Sequence, residues 1–103
     1  MRKIESLMNQ AVTQERNWKL DNTEVIQHHS VSYVYLYDNK IAEIGETWLM
    51  LFDGGYKSKT TKSRLNAILE VHGAGERVYQ KNLRWFITIK GKEYIFENGI
   101  YLD

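Results

Sequence analysis

The chain has 103 residues and a formal net charge of only +1, with 43% apolar and 26% charged residues. That composition excludes disorder and low complexity, and the length fits one globular domain, residues 1–103, with enough core to fold unaided. Cysteine is absent, which removes disulfides, thiolate metal sites and Cys nucleophiles.

The opening Met1-Arg2-Lys3-Ile4-Glu5 lacks the apolar run of about 7–15 residues that a secretory signal needs. The longest apolar run, Trp48 to Phe52, is far short of the roughly 20 residues of a membrane span. A cytoplasmic protein with no membrane partner is the expectation. The charge is unevenly spread. Met1 to Asp53 holds 5 basic and 8 acidic residues, Gly54 to Lys92 holds 9 and 2, and Glu93 to Asp103 holds none and 3. A chain polarised in this way can present a basic face while staying near neutral as a whole.

Ile4, Leu7, Met8, Ala11 and Val12 fall on one helical stripe, with Arg2, Glu5, Asn9, Gln10 and Thr13 on the other side. Trp18 is the first residue expected to fold back onto that helix. Val25–His29 and Val31–Tyr37 read as strands, joined by an Asp38-Asn39 turn to a returning Ile41–Ile44. Gly45 breaks that strand, and Trp48–Phe52 is the next. A second helix begins near Thr60 or Thr61, either of which can cap it. Leu65, Ile68, Leu69 and His72 form its core stripe, and Gly73 ends it. The tail returns to strands at Arg77–Gln80 and Arg84–Ile89, with a turn at Lys81-Asn82, then at Glu93–Phe96 and Ile100–Leu102. Asn98-Gly99 reads as a hairpin turn between those last two. The order α–βββ(β)–α–βββ predicts an α+β fold, a mostly antiparallel twisted sheet with both helices on one face.

His28 and His29 are the one clustered pair of metal-ligand types, but neighbours on a strand point to opposite faces, so no metal site is expected. His28, His29, Lys81 and Glu43 do not converge by spacing, so no catalytic residues are assigned and no cofactor is implied; a small hydrolase using a histidine is the weakest reading. Asp53-Gly54-Gly55-Tyr56-Lys57-Ser58 fails the phosphate-loop pattern, whose lysine must follow a glycine. Gly54-Gly55 is better read as a turn.

Lys57-Ser58-Lys59-Thr60-Thr61-Lys62-Ser63-Arg64 carries more information. It places four cations and no acid around a helix N-terminus, where the macrodipole disfavours positive charge. Lys57, Lys59, Thr60, Thr61, Lys62, Ser63 and Arg64 would suit an anion there; the alternative is a solvated surface or pairing with the acidic half. Arg77, Lys81 and Arg84 extend the basic character, interleaved with Tyr79, Trp85 and Phe86, as in a stacking platform for single strands. Trp85, Ile87 and Ile89 share one strand face and are expected in the core. Tyr33, Tyr35 and Tyr37 line one face and Val34 and Leu36 the other, so one set is core. A second copy or a partner protein would cover the remaining set.

Thr60-Thr61-Lys62-Ser63-Arg64-Leu65-Asn66-Ala67-Ile68-Leu69, with Tyr79-Gln80-Lys81-Asn82, Trp85 and Asn98-Gly99 downstream, resembles a family of small tailed-bacteriophage proteins. Asn17-Trp18, Asn22-Thr23 and Ile41-Ala42 extend the resemblance over most of the chain. It implies a phage origin and expression in a bacterial cytoplasm, with no catalytic residues to carry over. Two functions are then expected. One is a non-enzymatic accessory protein that binds DNA, RNA or a nucleotide through the basic face at the N-terminus of the second helix. The other is an anti-defence or anti-CRISPR inhibitor that binds a host protein.

Overall fold

The computed structural model describes every residue, Met1–Asp103. The first apolar stripe forms α1 (Lys3–Thr13), which buries Met8, Ala11 and Val12. Glu5 and Asn9, expected toward solvent, are buried as well, because the second helix packs along that flank. Five strands follow: β1 (Trp18–Leu20), β2 (Thr23–His28), β3 (Val31–Leu36), β4 (Asn39–Ile44) and β5 (Leu49–Leu51). The second helix, α2 (Lys59–His72), precedes β6 (Arg77–Lys81), β7 (Arg84–Ile89), β8 (Lys92–Ile95) and β9 (Ile100–Leu102).

The fold is α+β, as expected, but its strands divide into two antiparallel sheets rather than one. Six strands run in the order β1-β2-β3-β4-β5-β9, and three in the order β6-β7-β8. Alternation sets the faces. Ser32, Val34 and Leu36 of β3 point into the core, and Tyr33 and Tyr35 lie half-exposed on the other face. Val34 and Leu36 are thus the core set, joined with Met8, Leu65, Ile68, Trp85 and Ile87 in one apolar cluster. α1 packs on β1 and β2, whereas α2 touches β4 on one side and β6 on the other. α2 therefore bridges the sheets.

The turns differ from expectation by a residue. β2 ends at His28, and His29 and Ser30 take φ of 49° and 64° to form the turn into β3. The next turn is Tyr37-Asp38, not Asp38-Asn39, and Asn82-Leu83 replaces Lys81-Asn82. In each, both central residues have positive φ, the type I′ geometry whose twist matches the strands it joins. Asn98-Gly99 makes no hairpin. Only Gly99 has positive φ there, and the chain crosses from β8 to pair β9 with β5. The corner is held by the Asp53 N–H donating to Asn98 Oδ1 at 2.7 Å and the Gly99 N–H donating to Leu51 O at 2.8 Å. At Gly45 a Cβ would lie 2.1 Å from the Trp48 indole nitrogen, so any larger residue in the loop between β4 and β5 would have to displace that ring.

Candidate functional site

The basic residues on and around α2 fall into two groups. Ser58, not Thr60 or Thr61, caps the helix: its hydroxyl accepts from the Thr61 N–H at 3.0 Å. The Thr61 hydroxyl also bonds the Tyr56 carbonyl at 3.2 Å, and the residue is buried. The capping N–H and both hydroxyls are thereby engaged inside the protein.

Arg64 is 3% exposed, so it is a core residue and not a surface cation. Its guanidinium donates to Glu5 at 2.8 Å, to Thr23 at 3.0 Å and to Asn22 at 3.2 Å. Ser63 donates to the same Glu5 oxygen at 2.6 Å. Burial pushes the Glu5 carboxyl up, but hydrogen bonds from Ser63, the Arg2 amide and Arg64, with the Arg64 charge, outweigh it and hold the group below the usual carboxylate range. Lys57 pairs with the buried Asp53 at 2.7 Å. Burial likewise raises Asp53, and the Lys57 ammonium, the Gly55 N–H and Asn98 reverse the shift.

Lys59, Lys62, Arg77 and Arg84 have no acidic partner within salt-bridge distance. Lys59, Lys62 and Arg77 line a groove of about 800 Å³ between α1, α2 and β6, together with Asn66, Glu70 and Glu76. Lys62 donates to Gln80 at 3.2 Å and lies 5.9 Å above the Trp85 ring. Thr60 lines a separate hollow with Tyr37 and Tyr56. The Asn66 amide donates to Val78 O and accepts from the Val78 N–H, both at 2.8 Å. It stands in for a strand along the free edge of β6 and fixes that strand against α2.

The β6–β8 sheet presents two unlike faces. Trp85 and Ile87 are buried on the inner one, as expected. The strand registers Arg77↔Thr88, Tyr79↔Phe86 and Lys81↔Arg84 put those six residues together on the outer face. There the Tyr79 and Phe86 rings stack at 5.9 Å between centroids, and Lys81 lies 5.3 Å from the Phe86 ring. The acid on this face is Glu93, from β8. It accepts from the Tyr79 hydroxyl and from Lys81 at 3.3 Å. The Tyr79 hydrogen bond holds Glu93 below the usual carboxylate range, and Glu93 pushes the Tyr79 hydroxyl up to about 12. The outer face of this sheet therefore combines two stacked rings with two cations, Arg77 and Arg84, that form no salt bridge.

The two histidines are not divided between strand faces, because His29 belongs to the turn; the rings meet edge-on with centroids 4.0 Å apart. On the six-stranded sheet, the outer face carries the cross-strand row Ile26, Tyr33, Glu43, Met50 and Tyr101. Its Lys40 bonds Glu43 at 2.5 Å and sits 4.6 Å from the Phe52 ring.

Charge clustering in the sequence points to this region, but it does not separate engaged from unpaired cations. Glu5 lies 59 residues from Arg64, and on the helical pattern Glu5 and Asn9 fall outside the apolar stripe, so nothing local marks them as a buried polar seam.

The family model for the Kyanoviridae Gp96 protein matches residues 1–103, and the chain belongs to that phage protein family. No curated protein and no solved structure matches it.

Proposed function

From that phage membership, we propose that the protein is a non-enzymatic accessory factor that binds nucleic acid through the outer face of the β6–β8 sheet. The observation that carries this reading is the single exposed face holding Arg77, Lys81 and Arg84 around the stacked Tyr79 and Phe86. Arg77 and Arg84, which have no acidic partner within salt-bridge distance, would attract phosphates, and ring faces accept bases irrespective of sequence. Lys59 and Lys62, beside Arg77 in the α2 groove, would continue the track for the backbone. Single strands fit best, because their bases are free to stack.

The test is fluorescence anisotropy with labelled single- and double-stranded oligonucleotides across a salt series. Binding that weakens linearly on a log–log plot is expected, tighter for single strands. Arg77→Ala and Arg84→Ala should each reduce the salt slope by about one unit. Absence of binding to either form at low salt would overturn the reading.

A second reading, inhibition of a host protein, is favoured by the outer face of the six-stranded sheet, where Tyr101 is 53% exposed and Ile26 37%. It predicts a complex that survives nuclease treatment.

A further inference from the structure

Resting on the nucleic-acid reading, we infer that Leu83, at the tip of the β6–β7 hairpin, is an apolar wedge that inserts between neighbouring bases of the bound strand. A lone exposed leucine is ordinary. This one is not, for three reasons on the same turn.

First, Asn82 and Leu83 have φ of 53° and 65°. Asparagine suits that left-handed region, whereas the second position of such a turn favours glycine and a leucine Cβ is strained in it. Of the nine non-glycine residues at positive φ, Leu83 alone is aliphatic. Second, the residue is 90% exposed, the most of any large apolar residue in the chain. The fold gains no packing from the residue that strains its turn. Third, the hairpin beneath is arranged in layers. Lys81 and Arg84 form the first cross-strand pair below the tip, and Tyr79 and Phe86 form the next pair on the same face. A leucine entering a base step would bring that cation pair to the flanking phosphates and the stacked rings to the following bases. Apolar wedges inserted beside phosphate-binding cations unstack bases in this manner.

The decisive variant is Leu83→Gly, because it creates the Asn-Gly turn that the backbone prefers and removes no charge. Wild type and variant are titrated by anisotropy, and in parallel with oligonucleotides carrying 2-aminopurine, whose fluorescence rises on unstacking. The variant is expected to melt at or above the wild-type temperature, to bind about tenfold more weakly, to keep the wild-type salt slope and to lose the fluorescence rise. Leu83→Asn, also compatible with the turn, should behave alike, and Leu83→Met should retain binding. If the wild type binds and Leu83→Gly binds equally, with the same fluorescence change, the wedge is overturned while the basic face stands. If the wild type binds no oligonucleotide, the nucleic-acid reading falls and the wedge falls with it.

Discussion

The seam between α1 and α2 and the hairpin of β6 and β7 are both rich in cations, yet the structure treats them oppositely. In the seam, Arg64 is enclosed and its guanidinium is matched by Glu5, Thr23 and Asn22. In the hairpin, Arg84 is exposed and has no acidic partner, and Lys81 shares Glu93 with Tyr79. Desolvation decides between these outcomes. A buried guanidinium must have its charge and its N–H groups satisfied internally, whereas an exposed one is stable in water and stays available to an incoming anion. A basic cluster in a sequence therefore measures binding capacity only after the cations held by internal acids have been subtracted.

The sharpest way to break this contrast is to truncate one arginine from each region. Arg64→Ala leaves Glu5 buried without its counter-charge and should cost about 3–5 kcal/mol, read by urea denaturation. Arg84→Ala should stay within about 0.5 kcal/mol of wild type while weakening oligonucleotide binding. Equal losses of stability would erase the distinction. Asn66→Ala tests the boundary between the regions. It leaves the Val78 N–H and carbonyl without their partner and should cost about 1–3 kcal/mol, with β6 amides exchanging faster than those of β3.

The comparison also marks what sequence reading can reach. The division of Val34 and Leu36 from Tyr33 and Tyr35, and the Leu65, Ile68 and Leu69 stripe, were legible because periodicity is local; which β3 set faces the core was not, because it depends on the helices and strands packed above it. The turn positions slipped by one residue because cross-strand register, and not turn composition alone, selects which pair adopts positive φ. Ile100–Leu102 looked like the partner of the strand before it because nothing in those residues encodes β5, the strand with which they pair. At the site, the abundance of cations around α2 was visible, but the acid that removes Arg64 from the surface is contributed by α1. Leu83 was hidden for a simpler reason. Its significance depends on a φ value and on exposure, neither of which composition reveals.

A smaller effect separates the regions by pH. Burial lowers the His72 pKa from its ordinary 6.5, so the folded state favours the neutral ring. That contribution to stability is complete above pH 6.5 and is lost as pH falls through the folded value. Glu5 is held below its ordinary 4.5, so its contribution is complete above 4.5 and is lost at still lower pH. Urea midpoints should therefore decline in two stages on acidification. His72→Asn should flatten the first stage and Glu5→Gln should reduce the second, to which Asp53, held below its ordinary 3.8, also contributes; neither stage should respond to Arg84→Ala.

The smallest expected change concerns Lys57, which stands between the two categories. Its ammonium pairs with Asp53, but its side chain is 49% exposed while that of Asp53 is 6% exposed. Solvent screens such a pair, so Lys57→Ala should cost less than about 1 kcal/mol. Asp53 would retain the Gly55 N–H at 2.7 Å, which limits the loss further. If the pairing removes Lys57 from the binding surface, the salt slope of oligonucleotide binding should remain at its wild-type value, in contrast to the drop of about one unit expected for Arg84→Ala. A comparable drop would mean that a half-exposed lysine can leave its carboxylate for a phosphate. The division would then follow burial of the cation itself, placing Lys57 with Arg84 rather than with Arg64.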